Sequence, residues 1–282
     1  MGHLDHAAYG WLTPALSYAM ASIGAALGLR CTVRALATTG ASRRNWLLTG
    51  ASAIGTGIWT MHFVAMFGFH VTGTEIRYDV PLTVLSLLVA VLVVGAGVFA
   101  VGYGKRRGRA LFLGGLTTGL GVASMHYLGM AALRLHGTVG YRPMVVVLSV
   151  AIAVAAATAA LWAALNIKSP AAGAVAALVM GAAVSSMHYT GMLAVVVTVS
   201  PSDQALSGAT TMQFVFPLAV GLGSYLFVTA AFVALSPTAD ERAATASAVA
   251  SAVTSARSAP AAPLTVPLRA GSPLSAHRTP AS

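Results

Sequence analysis

Apolar residues come in seven long runs, near residues 9–29, 46–68, 81–101, 111–131, 144–165, 173–196 and 214–235, separated by short polar breaks. As an α-helix, about 20 apolar residues cross a hydrocarbon layer of about 30 Å, so each run is long enough to span a bilayer. None of the runs alternates apolar and polar positions as the roughly ten-residue strands of a membrane barrel do, and backbone groups in lipid must be satisfied within the segment. The pattern predicts an all-α, polytopic bundle of seven transmembrane helices.

Composition excludes the main alternative. Hydrophobic residues make up 57% of the 282 and charged residues 8%, against about 25% charged in a soluble domain. The net charge of +10 reports topology rather than nucleic-acid binding, because of where it falls. Arg30, Arg34, Arg43 and Arg44 lie between the first two runs, Lys105, Arg106, Arg107 and Arg109 between the third and fourth, and Lys168 between the fifth and sixth. With Arg242, Arg257, Arg269 and Arg278 beyond the seventh run, thirteen of sixteen basic residues collect on one side, leaving Arg77, Arg134 and Arg142 for the other. The basic side is the cytoplasmic one, so the N-terminus is expected outside and the C-terminus inside. Residues 1–8 hold no Lys or Arg, so despite Ala19-Met20-Ala21 the first run reads as a retained helix rather than a cleaved leader.

Three regions follow: a short extracytoplasmic N-terminus over 1–8, a membrane domain over 9–236, and a cytoplasmic tail over 237–282. The tail is rich in Ala, Ser and Pro, lacks the large apolar residues a core needs, and reads as disordered with no output domain in it. Nothing in the chain resembles an activated nucleophile or a carboxylate pair, so it is not expected to be an enzyme. Cys31 is the sole cysteine, which excludes an intrachain disulfide and a Cys-based metal site.

Within the membrane region one hexapeptide recurs: Met61-His62-Phe63-Val64-Ala65-Met66, Met125-His126-Tyr127-Leu128-Gly129-Met130 and Met187-His188-Tyr189-Thr190-Gly191-Met192. A wider frame goes with it. Thr60, Ser124 and Ser186 stand two before each His and Gly55, Gly119 and Gly181 seven before, while Leu16-Ser17, Leu85-Ser86 and Leu148-Ser149 follow Pro14, Pro81 and Pro143 in the odd-numbered runs. The repeating unit is therefore a helix pair, present three times and followed by a seventh helix.

Each motif lies at the C-terminal end of an even helix, which places all three near the outer face. Residues four apart share a helix face, so His62 with Met66, His126 with Met130 and His188 with Met192 each present an imidazole and a thioether together. The glycines two turns below permit close helix approach and would let the three faces converge. Imidazole suits first-row metals and thioether favours Cu(I), so copper is preferred on ligand type over zinc. Packing glue inherited by duplication explains the same pattern without a ligand, although buried imidazoles in a membrane are costly and usually functional. His3-Leu4-Asp5-His6, His70, His136, Glu75, Asp79 and Asp203 read as solvated outer residues, and Gly24…Gly28 and Gly115…Gly119 as helix-packing faces.

These motifs, with Trp46-Leu47-Leu48 after the first basic loop and Tyr78-Asp79 before the third run, resemble the MHYT family of bacterial integral membrane sensor domains over about residues 9–200 and the seventh helix. The resemblance implies a multi-pass protein of the bacterial cytoplasmic membrane. It also implies a metal centre, copper, built from Met61, His62, Met66, Met125, His126, Tyr127, Met130, Met187, His188, Tyr189 and Met192, which senses oxygen, carbon monoxide, nitric oxide or redox state. Phe63 and Ala65 depart from the other two copies, so the three repeats are not equivalent ligands. Family members join such a domain to cyclase, phosphodiesterase or kinase modules; here any signal is expected to pass to a separate cytoplasmic partner. Two competing functions are a copper-handling or transport protein, against which stands the clustering of all three motifs at one end, and a haem or copper redox protein with paired axial histidines.

Overall fold

Proline stands in the first turn of four of the helices, where its missing N–H leaves no intrahelical bond unmade. The computed structural model describes residues 4–5, 9–167, 169–200, 202, 204–237 and 239–258. Within it α1 (Leu12–Leu36), α2 (Gly40–Met66), α3 (Val80–Tyr103), α4 (Arg107–Ala131), α5 (Pro143–Asn166), α6 (Pro170–Leu193) and α7 (Phe216–Leu235) follow the seven apolar runs. A wide π-type turn, Thr211–Val215, leads into α7 and is closed by a reciprocal pair of bonds between Thr210 and Gln213. The basic segment before the second run is helical: α2 begins at Gly40, and Arg43 donates through Nε to the carbonyls of Ala35 and Thr38.

Consecutive helices pack side by side and α6 closes back on α1, giving a ring of six, while α7 packs against α2 and α1. The glycine frame explains how tightly the ring closes. A Cβ on Gly55 would lie 2.7 Å from Val91 Cα of α3, one on Gly119 would run into the backbone of Val154 on α5, and one on Gly181 would overlap Ser22 Oγ on α1 and lie 3.1 Å from its backbone. Each even helix thus meets the next odd helix at the same level of its motif. Gly24 faces Gly57 across the α1–α2 contact in the same way.

The helices α1, α3, α5 and α6 and the segment Thr211–Leu235 are long and apolar enough to cross a membrane. The protein is accordingly a multi-pass, mostly helical membrane protein. α2 and α4 match them in length but are less apolar, because they carry Gly, Thr and His on faces turned into the bundle, including Gly55, Thr56, Thr60 and His62 of α2 and Gly115, Thr118, Gly119 and His126 of α4. Hydropathy alone under-reads a helix whose neighbours, not lipid, surround it.

The connections at the motif end are not plain loops, as the apolar pattern suggested. They contain β2 (His70–Val71), β3 (Arg77–Tyr78), β4 (Leu133–Arg134), β5 (Gly137–Tyr141), β6 (Val195–Val199) and β7 (Ala209–Thr210), and β1 (Leu4–Asp5) precedes α1. These pair antiparallel as β1–β2, β4–β3–β7 and β5–β6, the last with Gly137 opposite Val199 and Tyr141 opposite Val195. Asp79 does more than meet solvent. Its carboxylate accepts from the Leu82 N–H at 3.0 Å, capping α3, and pairs with Arg134 at 2.6 Å, which joins the first and second repeats. The backbone N–H and then the guanidinium hold its carboxyl below the usual range.

Residues 237–282 form a separate unit. The expectation that this tail lacks structure is corrected over α8 (Ala239–Ser258), a helix favoured by its alanines. Residues 259–282, with Arg269 and Arg278, lie outside the described residues, as do Lys168, Asp203, His3 and His6.

Candidate functional site

Because each motif glycine docks on the next odd helix at an equal level, the histidines seven residues further on arrive at a common height. They meet. His62 Nδ1 is 2.9 Å from His188 Nδ1 and 3.1 Å from His126 Nδ1, and the three ring centroids are 4.9, 4.9 and 5.2 Å apart. All three side chains are fully buried, at 1%, 0% and 1% exposure. Among the described residues they are the one cluster of three or more His, Cys, Asp or Glu side chains close enough to share an ion.

The arrangement is not a finished hydrogen-bond network. A neutral imidazole offers one proton and one in-plane lone pair, so His62 Nδ1, facing two other Nδ1 atoms, cannot serve both at full strength. With the protons on Nε2, three lone pairs converge instead, which is the donor set a cation requires. The observed spacing is close to the separation of about 3.3 Å between donors around an ion bound at 2.0–2.1 Å. The outer nitrogens of His62 and His126 have no partner, a cost of about 1–3 kcal/mol each that an ion held at the Nδ1 atoms leaves in place, so it is the Nδ1 spacing that carries the fit. The residues therefore fit a small metal ion.

Glycines later in the motif make space for these rings. A Cβ on Gly129 would sit 2.5 Å from His62 Nε2, and one on Gly191 would overlap the His126 ring. Each thus admits the imidazole of the preceding repeat. The first copy has Ala65 at this position, buried at 3%.

The third residue of each motif stacks edge-on against its histidine: Phe63 on His62 at 4.7 Å, Tyr127 on His126 at 4.8 Å and Tyr189 on His188 at 5.0 Å. The tyrosine hydroxyls reach toward the serines of the odd helices. Tyr127 lies 2.7 Å from Ser149 Oγ, and Tyr189 sits beside Ser17 without a closed hydrogen bond. In the first repeat Phe63 has no hydroxyl, and Trp59, one turn earlier, donates its indole N–H to Ser86 Oγ at 2.9 Å. Sequence reading singled out these serines as a frame but missed Trp59; its place four residues before Phe63 was the available signal. Trp59→Phe is expected to lower stability by about 1–2 kcal/mol, because buried Ser86 Oγ keeps its bond to the Thr83 carbonyl but loses its donor, and Phe63→Tyr in that background to restore part of it. Thermal unfolding of the purified protein in detergent measures both.

The six motif methionines, Met61, Met66, Met125, Met130, Met187 and Met192, are all buried, at 3% exposure or less. They do not all occupy one place. Met66 lines a cavity at the strand end between α1, α2 and α7, whereas Met187 lines a small apolar cavity bounded by all six ring helices. His70 is exposed and stacks on Tyr9, and His136 lies in the connection between β4 and β5.

The model of the MHYT family, described as a bacterial signalling protein N terminal repeat, matches residues 55–115 and 119–177. These segments contain the first two motifs; the third, at 187–192, lies beyond them and is joined to the others by geometry. Similar proteins include the bifunctional diguanylate cyclase/cyclic di-GMP phosphodiesterase MucR of Pseudomonas aeruginosa, 41% identical over 194 residues, covering 66% of this chain and 28% of MucR. The cyclic di-GMP phosphodiesterase NbdA of the same organism is 40% identical over 166 residues, 55% of this chain and 21% of NbdA. The signaling protein YkoW of Bacillus subtilis is 31% identical over 200 residues, 67% of this chain and 24% of its own length. The match thus spans less than a third of each of these relatives. No solved structure matches the chain. With the repeat matched twice, its histidines joined to a third copy and its relatives signalling proteins, the chain belongs to the MHYT family.

Proposed function

We propose that the chain is a seven-span sensor of the bacterial cytoplasmic membrane, N-terminus outside and C-terminus inside, in which His62, His126 and His188 hold a metal ion. Convergence of three buried Nδ1 atoms, two of the contacts at 2.9 and 3.1 Å, carries this reading. Copper is the preferred ion on ligand type: each histidine is followed four residues later on its helix by a buried methionine, whose thioether suits Cu(I), and no carboxylate or thiol joins the cluster among the described residues. Bound there, copper supplies a one-electron couple and a coordination position for a diatomic gas.

The chain's own residues do the rest. The motif glycines hold the three rings in register, Phe63, Tyr127 and Tyr189 fix their planes, and the surrounding helices exclude water. An apolar cavity of about 50 Å³, lined by Met187 and by Ile58, Val122 and Val184, each one helical turn before a motif histidine, suits a small apolar gas. The basic connections at the opposite end support the orientation. The relatives MucR and NbdA bear the names of cyclic di-GMP enzymes, so we assign the output to a cytoplasmic partner of that kind. Ligand binding shifts the bundle between two packings that such a partner distinguishes.

Elemental analysis and optical spectra of the purified chain, oxidised and reduced, with and without carbon monoxide, test the reading. One copper per chain, lost when all three histidines are replaced by Ala in a protein that still inserts, is the expected result. Stoichiometric copper retained in that variant would overturn the assignment.

A further inference from the structure

The cavity that Met66 lines is the larger of the two described above, about 710 Å³, within the range of sites that hold whole small molecules. It lies where α7 leans on α1 and α2. Its walls are apolar, with Met20, Phe67, Phe216 and Ala219 among them. Leu12, Leu16, Phe216 and Val220 stand at its edge, each about half exposed at 49%, 50%, 45% and 53%. In a spanning bundle those faces of α1 and α7 meet acyl chains, so the cavity opens sideways toward lipid.

Two features define what it would accept. Thr13 and Thr60, at 6% and 1% exposure, belong to the wall, and neither hydroxyl has a partner. Other helical threonines, such as Thr32 on Gly28 and Thr158 on Val154, satisfy themselves on the carbonyl four residues back, while Thr118, away from this cavity, does not. Thr60 forgoes that bond and Thr13, in the first turn of α1, has no helical carbonyl four residues back; both hydroxyl oxygens are covered, and a helical Thr has two accessible χ1 rotamers with which to turn its hydroxyl. The lining also contains no Lys or Arg among the described residues; its ionisable side chains besides tyrosine are Glu75 and His70, both exposed at the strand end, so its buried part offers no charge to an anionic head. Phe67 and Phe216, with centroids 6.3 Å apart, offer flat walls to a ring.

We propose that this cavity binds a neutral membrane amphiphile whose carbonyl head accepts hydrogen bonds from Thr13 and Thr60 and whose apolar tail leaves between α1 and α7. Two membrane molecules present that chemistry, a prenylated quinone and a diacyl lipid ester. The site is independent of the metal, although Thr60 stands two residues before His62, so an occupant touches the helix that carries the central histidine.

Labelled decylubiquinone is titrated into the full chain in nanodiscs, with empty nanodiscs as background and dioleoylglycerol as competitor. One saturable site per chain is expected. Gly223 lines the cavity and a Cβ there would make only an ordinary contact, 3.7 Å from Met20 Cε, so Gly223→Leu fills the space and should abolish saturable binding. Thr13→Val with Thr60→Val keeps the volume and should weaken binding about tenfold or more, the loss of two hydrogen bonds of about 0.5–1.5 kcal/mol each. Displacement by dioleoylglycerol at equal concentration supports the carbonyl amphiphile and names a lipid ester as its source; resistance to it names a quinone. Uptake that never saturates, or that is unchanged in Gly223→Leu, overturns the proposal. Ala219→Leu serves the same purpose should Gly223→Leu fail to fold.

Discussion

His62→Ala alone is expected to lower metal affinity more than about 100-fold, beyond the range of 10–100-fold typical for loss of an outer-shell partner. His62 is the hub: both short Nδ1 contacts, at 2.9 and 3.1 Å, are its own. Removing it leaves two donors that face each other no better than any pair of buried rings. Met66→Leu keeps volume and apolarity, and because Met66 lines the lateral cavity, its expected loss is smaller, about tenfold or less. Isothermal titration with a buffered cuprous ion ranks the two. Equal losses, or a larger one for Met66→Leu, would show that the thioether rather than the imidazole hub dominates the site.

Gly119→Leu is expected to disrupt the bundle itself. At this position a side chain meets the backbone of Val154, not a flexible chain that can turn aside, so α4 and α5 must separate. Overpacking costs about 1–3 kcal/mol where neighbours yield; here they cannot, and a loss of about 3 kcal/mol or more is expected. Gly221, whose Cβ would meet nothing within 4 Å, provides the control in Gly221→Ala, expected to be near neutral. Thermal transitions by size-exclusion recovery in detergent report both. Normal stability of Gly119→Leu would mean that the motif glycines do not set the helix spacing.

These two substitutions mark different levels of legibility. The helices could be read because burial in lipid demands long apolar segments, and the repeats because three copies of a His with Gly seven residues before it do not arise from packing in general. The positions of the membrane helices and six candidate residues, His62, Met66, His126, Met130, His188 and Met192, followed from that, and the family resemblance implied five more. Pairings among polar groups did not. The exchange of a tyrosine hydroxyl for the Trp59 indole at Ser86, the pairing of Asp79 with Arg134, and the strands over the motif end all join residues far apart in the chain. Only the short side-chain or backbone partner reveals them, and a hydropathy pattern is blind to both. The helix over Ala239–Ser258 was missed for another reason: its alanines favour helix without any apolar face to announce one.

By itself, the sequence determined that the chain crosses a membrane several times as helices, that three helix pairs repeat, and that each pair brings one histidine to the same end. Those properties depend on local composition and on the helical period, which any reader of the chain can count. Tertiary structure decided that the six-helix ring closes tightly enough for three imidazoles to touch through Nδ1, while the motif methionines spread over separate cavities. Convergence is a matter of helix rotation and of distances of a few ångströms, and it is set by which glycine meets which backbone across the ring.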